Sequence, residues 1–192
     1  MTRRLLTVVA CAAALSLFGL LGPRLVPRAG AQGYGDALVT GVELARRKAC
    51  QSNVKQIGVF LIMYAGDHDD AFPKTLGELL KGGYLTSAKV LHCPGDAKPY
   101  KEPEQKDFKK MEVAEIDKAI EPILSYALVE GVDHGDDAGT IVLYEKDGAH
   151  KGVGRHVLFN DGSVKWLVEA EFQKRIAEQR QRSGAKKPEA KP

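Results

Sequence analysis

Cysteine is scarce in this sequence, with three in 192 residues, and no two stand at the C-x-x-C spacing of a structural zinc motif. There is no G-x-S-x-G elbow, no H-E-x-x-H pair and no reactive-cysteine context, so the familiar signatures of serine hydrolases and zinc proteases are missing. A strong charge of one sign is missing too. The net charge is +3, and Arg3, Arg4, Arg24 and Arg28 outweigh it by themselves in a segment, residues 1–31, that holds no acid. The body beyond is mildly acidic, which excludes the basic footprint of a nucleic-acid-binding protein.

What is present begins with that leader. Arg3-Arg4 precede an apolar run over residues 5–22, and Ala29-Gly30-Ala31 supplies a small-residue cleavage signal before Gln32. This three-part layout is that of a signal peptide, so residues 1–31 are set apart from the fold. Retention of residues 5–22 as a membrane anchor is the alternative, since about 18 apolar residues suffice to span a bilayer. In either case the globular part is expected outside the cytoplasm, periplasmic or extracellular, or tethered to the inner membrane.

The organising stretch is residues 45–73, ARRKACQSNVKQIGVFLIMYAGDHDDAFP. Cys50, Val54, Ile57, Leu61 and Tyr64 recur at steps of three and four, which places them on one helical stripe. Leu38, Val42 and Ala45 continue the stripe upstream. Gly66 and the acids after it stop the helix, and Pro73 forbids a restart. A helix of roughly 30 residues is about 45 Å long, and its stripe requires cover.

Thr75 and Glu78 fit a capping box for a short helix closed by Gly82-Gly83, with Tyr84 and Leu85 packing back on the long helix. Residues 96–110 read as an exposed loop, and Val113, Ile116 and Ile120 as a further short helix ended by Pro122. Four apolar runs with β-character follow, over residues 123–130, 140–145, 156–159 and 163–168. The last two flank Asn160-Asp161-Gly162, a hairpin signal, and Val164, Trp166 and Val168 alternate onto one face. Sequential strands with short turns imply an antiparallel sheet, one face of which can lie on the helix stripe. Phe172 and Ile176 mark a weak final helix, and residues 183–192 a disordered tail.

With Cys11 in the leader, Cys50 and Cys93 remain, and an exported chain favours joining them in one disulfide over leaving two buried thiols. Asp67, Asp69 and Asp70 cluster at the end of the long helix and offer carboxylate oxygens to Ca²⁺, short of the six to eight that calcium prefers. The turn at residues 133–137, DHGDD, resembles them in composition. His150, His156 and Asp161, with Glu145 nearby, raise a catalytic reading, but Asp161 serves better as a turn residue and His156 as a strand residue whose ring bonds a neighbouring loop.

Taken together, residues 45–73, LHCPGD (91–96), SYALV (125–129) and TIVLYEKDGAHKGVGRHVLFNDGSVKWL (140–167) resemble bacterial type II secretion pseudopilin-like proteins, specifically the group whose ending carries His, nine residues, then Asp-Gly. His150, Asp161 and Gly162 are the matching motif residues, with ten residues between His150 and Asp161. The leader departs from the short basic leader and Gly-Phe-type cleavage site of that family. The resemblance implies an α+β, pilin-like fold, a long N-terminal helix packed on a small antiparallel sheet; the residues themselves set the globular domain at 32–170 and a basic helix and tail at 171–192. With no assembled catalytic motif in the sequence, the leading expectation is a non-enzymatic binding or assembly component at the cell envelope; the resemblance links it to type II secretion, with other pilin-like or secretion-system proteins as partners. The rival expectation is a small envelope hydrolase or metal-dependent enzyme using His150, His156 and nearby carboxylates.

Overall fold

The computed structural model describes residues 31–104, 107–147 and 149–185. The expected leader lies outside them but for Ala31, as does the tail beyond 185. The chain divides into two compact units, Met1–Gly41 and Val42–Pro192; of the first, only the opening turns of a helix are described. Among the described residues no helix is long and apolar enough to cross a membrane.

Helix α1 runs Ala31–Asp67, 37 residues. Its expected stripe is its buried side: Cys50, Val54 and Ile57 are fully buried, and Leu61 and Ala65 nearly so. The upstream continuation is helical, and its Val42 and Ala45 are exposed. Two short helices, α2 (Leu76–Lys81) and α3 (Val113–Ile120), add Leu79, Leu80, Ile116 and Ile120 to the same core. The capping box expected at Thr75 does not form. Glu78 instead accepts from the Tyr64 hydroxyl at 2.8 Å, and the Thr75 hydroxyl is buried without a partner. The box forms at α3, between Glu112 and Glu115. Tyr84 does pack back on α1, its ring 5.5 Å from that of Tyr64.

Strands β1 (Tyr126–Leu128), β2 (Ile141–Glu145), β3 (Gly154–Phe159) and β4 (Val164–Val168) form one antiparallel meander in the order β1-β2-β3-β4. β1 is shorter than expected because Pro122 fixes a 3-10 turn over Glu121–Ile123, taking Ile123 out of the strand. The β3–β4 hairpin turns at Asp161-Gly162: Gly162 takes φ +76°, and the Asp161 carboxylate accepts the Ser163 N–H at 2.8 Å.

One face of the sheet lies on α1. Leu143 and Leu158 join the stripe core, and Leu158 sits so close to Gly58 that a Cβ there would meet its Cδ1 at 3.0 Å. The other face is also covered, where the sequence points to cover on one face only. Helix α4 (Glu169–Ala185) lays Phe172 and Ile176 on Ile141, Val157, Phe159 and Leu167. The body is therefore helix–sheet–helix, and residues 171–185, expected as a peripheral basic helix, help to build it. Two-sided burial explains why β3 is buried along its whole length instead of alternating with water.

Gln179 fixes the far end of α4 by closing a pair of hydrogen bonds with the main chain of Ile141: its Oε1 accepts from the N–H at 2.7 Å and its Nε2 donates to the carbonyl at 2.9 Å. Gln179→Ala leaves both buried groups unmatched and is expected to cost about 1–3 kcal/mol in urea unfolding, with α4 the first element to lose amide-exchange protection.

Candidate functional site

A single irregularity in the sheet creates the site. Ile141 faces α4, and strict alternation would send residues 143 and 145 the same way. A β-bulge between Ile141 and Leu143 interrupts the register, so Leu143 and Glu145 turn toward α1. Glu145 thus enters the interior beside the disulfide, fully buried.

The disulfide is the one expected, Cys50–Cys93, with a Cα–Cα distance of 5.1 Å. It joins the middle of α1 to the LHCPGD turn. That turn is held by Ser125, whose hydroxyl accepts the Cys93 N–H at 3.0 Å and donates to Asp96 at 2.9 Å.

The Glu145 carboxylate is contacted by nitrogen and sulfur atoms. One oxygen accepts the His156 backbone N–H at 2.6 Å, and the His156 Nδ1 lies 3.1 Å from both oxygens. His150 Nε2 lies 3.5 Å from Oε1, and Cys93 Sγ is 3.5 Å from the same oxygen and from His150 Nε2. The opposite ring nitrogen of His150, Nδ1, meets Glu43 Oε1 of α1 at 2.9 Å. The Trp166 ring closes the cluster from β4, 5.3 Å from His150 and 5.0 Å from His156, and the Arg47 guanidinium lies 4.2 Å above it. Glu145 and His150 have wholly buried side chains, while that of Glu43 is 25% exposed and reaches water beside Arg47.

His150 is placed by an unusual backbone. It and Lys151 take φ of +50° and +58°, a left-handed pair at about 1–3 kcal/mol each for non-glycine residues. The His150 N–H donates to the Gly95 carbonyl at 3.1 Å. Gly95 must be glycine, because a Cβ there would collide with the imidazole. Behind the cluster, on the α4 face, Arg155 ties Asp147, Glu169 and the Glu145 carbonyl together and stacks on Phe172 at 4.2 Å.

Burial acts against the charges of Glu145, His150 and Glu43, yet their pairings prevail. Burial alone would raise the Glu145 carboxyl, but hydrogen bonds from His150 and His156 hold it below its ordinary 4.5. Burial would lower His150, but Glu145 and Glu43 hold its imidazole above 6.5. Glu43, opposed by burial, is brought down by His150 and Arg47. The linkage follows in sign. The lowered carboxylates contribute stability above pH 4.5 that is lost as pH falls through their folded values, and raised His150 contributes stability below pH 6.5 that is lost as pH rises through its own. The urea midpoint is therefore expected to be highest between about pH 4.5 and 6.5 and to fall on both sides, with His150→Gln flattening the alkaline limb.

Of the residues singled out in the sequence, Cys50, Cys93, His150, His156 and Glu145 converge. His156 bonds Glu145 on the neighbouring strand and not a loop. Asp161 and Gly162 stay at the hairpin tip as turn residues. Asp67, Asp69 and Asp70 serve separate neighbours: Asp67 accepts from the Tyr84 hydroxyl at 2.7 Å, Asp69 and Asp70 carry the chain through left-handed φ, and the Asp70 carbonyl accepts the His134 N–H at 3.0 Å. Among the described residues, three or more metal-type donors converge at Cys50, Cys93, Glu145 and His150 and not at this acidic turn.

Glu43, Arg47 and Trp166 were not foreseen. Glu43 and Arg47 stand one helical turn apart in the sequence, a visible ion pair, but nothing local points them at His150. Compared with models of known protein families, with curated proteins and with solved structures, the chain matches none.

Proposed function

We propose that the chain is an exported, non-enzymatic, pilin-like subunit that binds or assembles with other envelope proteins, of the kind that serve type II secretion. The ordered sequence pieces that resemble pseudopilin-like proteins support this reading, as does a long helix laid on an antiparallel meander. The observation that carries it is the contrast between interior and surface. The groups suited to acid–base chemistry, Glu145 and His150, are buried and already paired with one another, whereas Val59, Ile62 and Met63 stand out of α1 at helical spacing, 43–56% exposed. Exposed apolar side chains on a rigid rod suit protein contact better than catalysis.

The rival, a hydrolase or metal-dependent enzyme, draws on the convergence of His150, His156 and Glu145. One comparison separates the two. Tagged full chain is cross-linked in the envelope fraction beside Val59→Glu/Ile62→Glu/Met63→Glu and His150→Gln. The proposal expects discrete adducts that the triple variant loses and His150→Gln keeps. Adducts indifferent to the triple variant, or a hydrolytic activity lost only in His150→Gln, reject it.

A further inference from the structure

We propose that reduction of the Cys50–Cys93 disulfide turns the buried cluster into a four-ligand site for a thiophilic divalent cation of the zinc class, held by Cys50 Sγ, Cys93 Sγ, a Glu145 oxygen and His150 Nε2. This does not depend on the proposed assembly role.

The geometry is close to what such an ion demands. The four ligand atoms already lie within 4.8 Å of one another. Around tetrahedral zinc, with Zn–S near 2.3 Å and Zn–N and Zn–O near 2.0–2.2 Å, neighbouring ligands stand about 3.3–3.8 Å apart. Once the S–S bond is cut the sulfurs separate to the upper end of that range, and the ion occupies the space they share with His150 and Glu145. Cys93 Sγ, Glu145 Oε1 and His150 Nε2 are each 3.5 Å from one another and need scarcely move.

The surroundings match those of a metal site as well. His150 meets the Glu43 carboxylate through Nδ1, which leaves Nε2 aimed at the sulfur and at Glu145. A carboxylate on the outer nitrogen of a ligating histidine is the usual means of fixing its tautomer and orientation. The Gly95 N–H donates to Cys93 Sγ at 3.3 Å, a bond that favours thiolate. Glu145 is itself oriented by the His156 N–H. Two thiolates, an imidazole and one carboxylate select zinc-like ions and reject calcium, which asks for six to eight oxygens.

The chemistry balances with a dithiol as reductant. The dithiol gives two electrons and two protons to the disulfide and closes into its own disulfide, leaving two thiols. The cation then replaces both thiol protons, which leave with the proton of any charged His150. One brace between α1 and the 91–96 turn is exchanged for another, so metal is expected to restore the stability that reduction removes.

The test uses full chain reduced by a phosphine, which leaves as its oxide, then titrated anaerobically with Co²⁺ alone. The reduced protein is expected to take up one ion with the visible absorption of four-coordinate cobalt thiolate, and to surrender it to Zn²⁺. The oxidised protein and Cys50→Ala/Cys93→Ala are expected to show none. Glu43→Gln, a change at the water-facing member, is expected to weaken binding by about 10–100-fold. A reduced, folded chain without the thiolate absorption overturns the proposal. So does absorption unchanged in both His150→Gln and Glu43→Gln, and so does unfolding of the reduced chain under saturating zinc.

Discussion

The double variant Cys50→Ala/Cys93→Ala is expected to melt about 8–16 °C below the oxidised parent, in the absence of metal. The cross-linked residues are 43 apart in sequence. Closing a loop of that size removes about 4 kcal/mol of chain entropy from the unfolded state, and a domain of this length loses about 2–4 °C for each kcal/mol. The native side adds to the effect. Both cysteines are fully buried in the main core, where the bridge pins the central turn of α1 to a segment that α1 also holds through Asn53 Nδ2, which donates to the His92 carbonyl at 2.9 Å. Calorimetry of parent and variant, with and without reductant, checks this. The reduced parent should fall to the level of the variant, and zinc should restore the parent alone. A shift under about 2 °C, or two thiols that alkylate freely in the oxidised chain, would remove the bridge from the account.

How much of this could be read before the structure depends on how far apart the cooperating residues lie. The stripe of α1 was legible because Cys50, Val54, Ile57 and Leu61 are near neighbours obeying one period, and the β3–β4 hairpin because Asp161-Gly162 is a local instruction. The disulfide followed from counting. The second cover was not legible: α4 offers only Phe172, Ile176 and the hydrogen-bonding Gln179 among many charges, too sparse a pattern to announce a packing face. The site was half legible. His150 and His156 were conspicuous and Glu145 stood out at the end of an apolar run, but their meeting depends on a bulge that no local pattern marks. The Glu43–His150 contact joins residues 107 apart, and Trp166, which alternation placed on the sheet face, gave no sign that histidines would surround it.

Glu145→Ala is expected to cost about 3–5 kcal/mol at pH 6, because it removes the shared partner of two histidines and leaves a buried imidazolium facing Glu43 alone. Glu145→Gln, which keeps the volume and one acceptor oxygen, should cost about 1–3 kcal/mol. In a cycle with His150→Gln the two losses are expected to fall short of additivity by about 0.5–3 kcal/mol, since each single change strands what the other removes. Urea unfolding under oxidising conditions measures all three, and a Glu145→Ala loss below about 1 kcal/mol would mean that the carboxylate is not paired as described. The sign of such costs does not make the cluster a device for stability. Taking ions out of water is so unfavourable that apolar residues of similar volume commonly serve a core as well or better. Here the chain also keeps two non-glycine residues in left-handed backbone to bring His150 inward, and a glycine at 95 to make room for it. Stability alone accounts for neither expense. Both are intelligible if the position of an imidazole nitrogen beside two sulfurs and a carboxylate is itself what the fold maintains.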